Sequence, residues 1–183
     1  TDWKGLKLSL QGGYQRGNAA LALETMTLLR ERGWKISEEA IRNGLMKTEW
    51  PGRLERVQKA PIVLLDGAHN PEGMRALMRA LQSDFQYKKL HLIFGVMADK
   101  NYRAMLRCAS SYSDSIHFVE PPVKRTLKGE TLQEKMPKLK KISYDSDVEK
   151  AIPKVLKKAG KEDLICVTGS LYTVAQAKRF FQS

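Results

Sequence analysis

The stretch 61–81 constrains this chain most. Pro61-Ile-Val-Leu-Leu65 is a short apolar run rich in branched residues, and Asp66-Gly-Ala-His-Asn-Pro71 follows it directly. Met74, Leu77, Met78 and Leu81 then recur at i, i+3, i+4 and i+7, one stripe of a helix. Asn70 suits an N-cap, and Pro71 suits the first helical position, where its missing N–H has no partner to lose. The stretch therefore predicts a buried strand, a tight turn and a helix. A carboxylate and an imidazole would sit at the strand's carboxyl end. In open α/β sheets ligands bind at that end, and helix N-termini attract anions.

The pattern repeats downstream. Strands are expected at 53–59, 61–65, 90–94, 115–119 and 164–168, with a short one at 142–144. Helices are expected from 71, over 101–111, from about 130, over 145–159 and over 171–181, with Pro153 predicting a kink. Alternation of this kind argues an α/β fold, a Rossmann-like, mostly parallel sheet with helices on both faces. The first third reads differently. Leu6, Leu8 and Leu10 alternate like an edge strand, and 18–32 is a strong helix ended by Gly33. That helix is apolar on more than one face, which predicts burial. Ser37 caps a second helix with Ala40, Ile41 and Leu45 inward. Pro51-Gly52 is a turn signal. The chain is accordingly divided into 1–49, mainly helical, and 50–183.

Composition limits the partners. The formal charge is +12, which suits an anionic partner such as a nucleotide, a polyanionic small molecule or nucleic acid. Lys138, Lys140, Lys141, Lys154, Lys157, Lys158 and Lys161 crowd one stretch and read as a solvated face and loop. Cys108 and Cys166 are far apart in apolar patterns, as buried free thiols in a reducing cytoplasm would be. No apolar run reaches the length of a membrane span, and no signal peptide opens the chain. The start at Thr1, without Met, points to processing or to a piece of something longer.

Three strand ends carry chemistry: Asp66 with His69, then Gly95-Val-Met-Ala-Asp-Lys100, then Thr168-Gly-Ser-Leu-Tyr172. A parallel sheet opens all three on one rim. Lys100 would hold a carboxylate or phosphate. Ser170 and nearby backbone N–H groups would hold another. Asp66 would accept from a sugar hydroxyl or an amine. Taken singly, each has a plainer reading: Asp66 as a turn cap, His69 as a local hydrogen-bonding residue, Lys100 as a solvated lysine, Gly169-Ser170 as a helix start. His91 and His117 lie within strand patterns and read as structural. No His/Cys cluster has metal-ligand spacing. There is no Gly-x-Ser-x-Gly elbow and no phosphate-cradling P-loop motif.

Five motifs appear in order: Tyr14-Gln-Arg-Gly-Asn-Ala-Ala-Leu-Ala-Leu23, Trp50-Pro-Gly-Arg-Leu-Glu55, Leu65-Asp-Gly-Ala-His-Asn-Pro71, Phe94-Gly-Val-Met-Ala-Asp-Lys100 and Val167-Thr-Gly-Ser-Leu-Tyr172. The series resembles the C-terminal part of folylpolyglutamate synthases, including the bifunctional dihydrofolate synthases, within the Mur ligase superfamily. The resemblance runs over essentially the whole chain. It implies an ATP-dependent, ADP-forming carboxylate–amine ligase of folate biosynthesis and one-carbon metabolism. A folate carboxylate is activated as an acyl phosphate and attacked by the amine of L-glutamate. It further implies that 1–49 is the remnant of a central ATPase domain and 50–183 the glutamate-binding C-terminal domain. The P-loop and the Mg2+ ligands would lie in a missing N-terminal portion, and the isolated chain would be inactive. By the same resemblance Asn18 matches the adenine-side contact and Arg53 the arginine reaching ATP phosphates. Asp66 matches an acid contacting the ribose or shaping the closed site, and so counts as both catalytic and ATP-binding. His69 matches the histidine near the reacting centre and the glutamate, and Lys100 and Ser170 match the glutamate-carboxylate positions. Tyr14 departs from the pattern, which usually shows His before Gln. The implied partners are ATP, L-glutamate, folate or dihydropteroate and the missing ATPase domain, for a monomer in the cytoplasm without membrane.

Two rivals remain. A Mur-type peptidoglycan ligase domain would show Asp-x-Tyr-x-His-x-Pro or Asp-Asn-Pro-Arg type motifs, which are absent. A basic nucleic-acid-binding module would show a fingerprint or an interleaved aromatic stripe, also absent.

Overall fold

A computed structural model of the chain describes residues 3–136 and 142–182. They form two compact units that divide between Pro51 and Gly52, within the Trp-Pro-Gly-Arg motif.

The first unit contains α1 (Gln15–Glu31) and α2 (Glu38–Lys47). The Ser37 side chain caps α2 by accepting from Ala40 N at 3.1 Å. Ile41 is buried, Leu45 is half-buried, and Ala40, expected inward, is exposed. Two further expectations fail here. Leu6, Leu8 and Leu10 do alternate in burial with their neighbours, but the segment is not a strand. A strand needs a neighbouring strand for its backbone groups; none pairs with it among the described residues, and Ser9 N donates instead to Leu45 O of α2 at 3.2 Å. The burial predicted for α1 is also absent. Only Gln15 is buried, while Leu21 and Leu28 are 71% and 51% exposed. A unit of two helices has too little surface to cover one that is apolar on more than one side.

The second unit is the α/β fold. Its strands are β1 (Glu55–Lys59), β2 (Ile62–Leu65), β3 (Leu90–Phe94), β4 (Ser115–Val119), β5 (Ile142–Asp145) and β6 (Leu164–Thr168). They form one sheet in the order β1-β2-β6-β3-β4-β5. All neighbours are parallel except β1, which runs antiparallel to β2 with a register shift between Arg56 and Gln58. The expected strand at 53–59 thus starts two residues later, after the turn. The helices are α3 (Pro71–Asp84), α4 (Tyr102–Tyr112), α5 (Gly129–Lys135), α6 (Val148–Lys158) and α7 (Leu171–Gln182). Side chains alternate across each strand. Val63, Leu65, Ile93, Val119, Ile165 and Val167 form one core with Val148, Ile152, Val155, Val174 and Ala177 of α6 and α7. The opposite face carries α3 and α4, which pack side by side. Their buried residues are Met74, Leu77, Met78 and Leu81, and Met105, Leu106 and Ala109.

Local signals set most boundaries. Asn70, Asn101 and Asp147 each cap the helix that follows by accepting a backbone N–H three residues on. Asp147 starts α6 later than the pattern alone suggests. Pro153 lies inside α6, which continues through it, and its ring is on the exposed side. Residues 137–141 lie outside the described residues, so Lys138, Lys140 and Lys141 of the basic stretch do too. Lys154, Lys157, Lys158 and Lys161 are exposed. Cys166 is buried, and Cys108, expected buried, is only half-buried.

The two strand histidines are built into the sheet. His91 Nε2 lies 3.3 Å from Asp163 Oδ2 and its Nδ1 2.8 Å from Ser115 Oγ. His117 Nε2 lies 2.5 Å from Asp145 Oδ2, and Lys154 pairs with the same carboxylate. Burial alone would push the Asp145 carboxyl up. The bonds and charges of Lys154 and His117 outweigh it and hold the carboxyl below the usual range. Asp163 is likewise held low against its burial, by Gly160 N–H and His91. A carboxyl depressed in the folded state stabilises it above the unfolded pKa and stops doing so as pH falls through the folded one. Stability should therefore be level above about pH 5 and fall as the solution is acidified through about pH 4. Acid unfolding followed by circular dichroism checks this. Asp145→Asn should flatten the decline, and an unaltered curve would mean that this pair does not contribute.

Candidate functional site

Neighbouring parallel strands β2, β6 and β3 end at the same edge of the sheet, so the loops 66–70, 169–170 and 95–101 share one rim. Backbone hydrogen bonds tie them. Asp66 N donates to Val167 O (3.0 Å), Gly169 N to Ala68 O (3.0 Å), and Gly95 N to Thr168 O (3.1 Å). Each loop leads into a helix, so the N-termini of α3, α7 and α4 all open at this rim. Their aligned peptide dipoles give it a positive potential.

The two most distinctive motifs are physically coupled. Asp66 is 2% exposed. Its Oδ2 accepts from Leu54 N at 3.0 Å and its Oδ1 from Ala68 N at 2.9 Å. Gly67 N donates to Gly52 O at 2.8 Å. The residues on both sides of Arg53 are thus pinned to the Asp66 turn, and the exposed Arg53 side chain is presented from that clamp. Leu54 sits at φ +48°, a left-handed conformation that a leucine holds only under such constraint. The Asp66 carboxylate is buried and accepts from both of these backbone donors. Its observed work is to hold the Arg53 turn.

His69 is half-buried, with Nδ1 2.9 Å from Gly67 O. A carbonyl only accepts, so Nδ1 carries the hydrogen, and the neutral ring keeps its lone pair on Nε2. Lys100 lies at the end of its loop, 3.3 Å from Asp99 and 36% exposed. Asp99 also has Arg125 at 3.7 Å. Ser170 is 3% exposed. Its Oγ caps α7 by accepting from Thr173 N (3.1 Å) and lies 2.8 Å from Thr173 Oγ1, which donates to Gly95 O at 2.9 Å. The Ser170 hydroxyl is therefore committed to joining α7 to the β3 loop. Asn18 lies on α1 in the first unit, exposed, with Nδ2 donating to Gln15 Oε1 at 2.8 Å.

Two contributors escape a reading of the sequence. Thr173 links the loops, and the Ser-x-x-Thr spacing at a helix start was the available signal. Arg125 comes from a fourth loop, after β4, which joins the rim through Ala98 N to Arg125 O (2.9 Å) and Leu127 N to Val96 O (2.9 Å). Nothing in the Pro121–Lys128 sequence announces that pairing. Among the described residues no group of three His, Cys, Asp or Glu side chains is placed to hold a metal. No described helix is long and apolar enough to cross a membrane.

A carboxyl-edge rim with converging helix N-termini, a presented arginine and a lysine defines an anion-handling α/β domain. Residues 52–171 match the family described as Mur ligase, glutamate ligase domain. The chain belongs to this family, and the relatives it matches are named folylpolyglutamate and dihydrofolate synthases. It is 34% identical over 178 residues to the dihydrofolate synthase/folylpolyglutamate synthase of Bacillus subtilis, covering 97% of this chain and 41% of the relative. It is 35% identical over 118 residues to the folylpolyglutamate synthase of Lacticaseibacillus casei, covering 64% of this chain and 27% of the relative. The Mycobacterium tuberculosis folylpolyglutamate synthase complexed with ADP and AMPPCP superposes with a TM-score of 0.87 at 28% identity, covering 97% of this chain and 42% of that one. The chain spans about two-fifths of the length of the Bacillus subtilis relative and of the Mycobacterium tuberculosis structure.

Proposed function

We propose that this chain is the glutamate-binding portion of an ATP-dependent ligase. The enzyme joins L-glutamate to a carboxylate of folate or dihydropteroate, releasing ADP and phosphate. In this reading 52–183 is the C-terminal domain and the first unit is the end of an ATPase domain, whose partner surface would cover the exposed leucines of α1. The observation that carries the reading is Lys100 at a rim where three helix N-termini meet, in a chain whose relatives bear the name folylpolyglutamate synthase.

The residues divide the work. Lys100 neutralises a glutamate carboxylate. His69, with Nε2 free to accept, stands near the glutamate amine and the reacting carbon. Arg53 reaches toward the ATP phosphates, for which its planar fork is suited. Asn18 contacts the adenine side. Asp66 and Ser170 hold the Arg53 turn and the α7 start in place. No group of three His, Cys, Asp or Glu side chains among the described residues is placed to hold a metal, and no step here runs through Mg2+. Its ligands, like the phosphate cradle, belong to the ATPase domain in this reading. The 183-residue chain alone then turns over no ATP. The whole enzyme acts as a cytoplasmic monomer.

The test is a ligase assay on the full-length protein with ATP, Mg2+, radiolabelled L-glutamate and either reduced folate or dihydropteroate. Label appearing in the acceptor with equimolar ADP is the expected result. Transfer of an amino acid to a nucleotide-sugar acceptor instead would replace this reading with the peptidoglycan one. Lys100→Met should raise the KM for glutamate about 30-fold or more, because one partner of a charge pair is lost, and should leave the KM for ATP within a few-fold. Equal effects on both substrates would remove Lys100 from the glutamate site.

A further inference from the structure

The α3–α4 surface carries four arginines that the reading above does not use. Arg75 and Arg79 are one turn apart on α3, and Arg103 and Arg107 are one turn apart on α4. All four are exposed, and none forms an ion pair among the described residues. The two helices pack side by side. Burial pushes the thiol of half-buried Cys108 on α4 up, and the charges of Arg75 and Arg79 act against that. α4 contains no acidic residue, and the acids of α3, Glu72 and Asp84, sit at its two ends.

Both helices start at the rim, α3 just after His69 and α4 just after Lys100. The arginines therefore form a track leading away from the site. With a rise of about 1.5 Å per residue, each pair extends it by about 6 Å along its helix. Four cations spread over two helices exceed what a single carboxylate or phosphate engages. They match a linear chain of carboxylates, each within reach of a guanidinium fork. Single-stranded nucleic acid would need aromatic platforms for its bases. α3 has no aromatic residue, and the exposed aromatic of α4, Tyr112, is its last residue.

We infer that Arg75, Arg79, Arg103 and Arg107 bind an acidic oligomer, namely an oligoglutamate tail already attached to the acceptor. The inference rests on the ligase reading above and names how a lengthened substrate is held. It makes the surface a preference for acceptors with several glutamates over those with one.

The test uses fluorescein-labelled penta-γ-L-glutamate and the 183-residue chain, read by fluorescence anisotropy at low and high salt. The Arg→Gln replacement of all four keeps good helix formers in place, and circular dichroism checks folding. Expected is a salt-sensitive complex weakened about tenfold or more in the variant. In the full-length enzyme, the ratio of KM for a monoglutamyl acceptor to that for a pentaglutamyl one should fall by a similar factor. Equal binding by both proteins, or tighter arginine-dependent binding of an unstructured twelve-nucleotide DNA, overturns the inference. An enzyme that ligates glutamate with an unchanged ratio also overturns it and leaves the ligase reading standing. Arginine-dependent pentaglutamate binding in a protein without ligase activity would remove the ligase reading alone.

Discussion

Asp66→Ala is expected to unfold the second unit or bring it close to unfolding. The substitution leaves Leu54 N–H and Ala68 N–H without their acceptor in a buried turn. Each unsatisfied buried donor costs about 1–3 kcal/mol, so the total is about 2–6 kcal/mol. Typical domains have about 5–15 kcal/mol of stability in all. The left-handed Leu54 loses its restraint at the same time. Asp66→Asn keeps one acceptor oxygen and turns an N–H toward the other donor, so it should fall between wild type and alanine. Urea unfolding of the three proteins measures the order. An alanine variant with a wild-type midpoint would show that the clamp does not hold the turn. Where the asparagine variant stays folded, the proposed role of Arg53 requires the KM for ATP of the full-length enzyme to rise, because the Arg53 turn loosens.

Gly169→Ala should come next in severity. Gly169 sits at φ +102°, and a Cβ there would lie 2.6 Å from Gly95 O and 3.0 Å from the Phe94 ring. The backbone strain alone costs about 1–3 kcal/mol, and the carbonyl cannot swing aside, because overpacking a fixed neighbour costs about as much again. Gly33→Ala is the matched control. Its φ is +90°, and a Cβ would meet nothing within 4 Å, so it should cost only about 1 kcal/mol. Equal losses in the two variants would show that close packing of the β6 and β3 loops contributes nothing.

What the sequence made readable is what is decided locally. The period-3.6 stripe of α3, the Asn70 cap and the Leu164–Val167 run of β6 each declare themselves within a few residues, and the structure carries all three. Parallel pairing follows from their alternation, which is why one rim could be foreseen. The duties of Asp66 and Ser170 were less legible because their partners come from elsewhere. Leu54 is twelve residues from Asp66, and the Thr173 hydroxyl bound to Ser170 reaches back to Gly95, 78 residues away. A carboxylate and a hydroxyl in a loop look equally apt for a ligand and for a backbone. The burial of α1 was misjudged for another reason. Its composition says how much of it suits burial, not what in residues 1–51 is there to cover it.

The stitching of the four loops has a practical corollary for redesign. Because Val167, Thr168, Ala68 and Arg125 each lend a carbonyl to a neighbouring loop, transplanting a single segment from a relative would break bonds in its neighbours. Loop exchange between members of this family should succeed only when the whole set is grafted together.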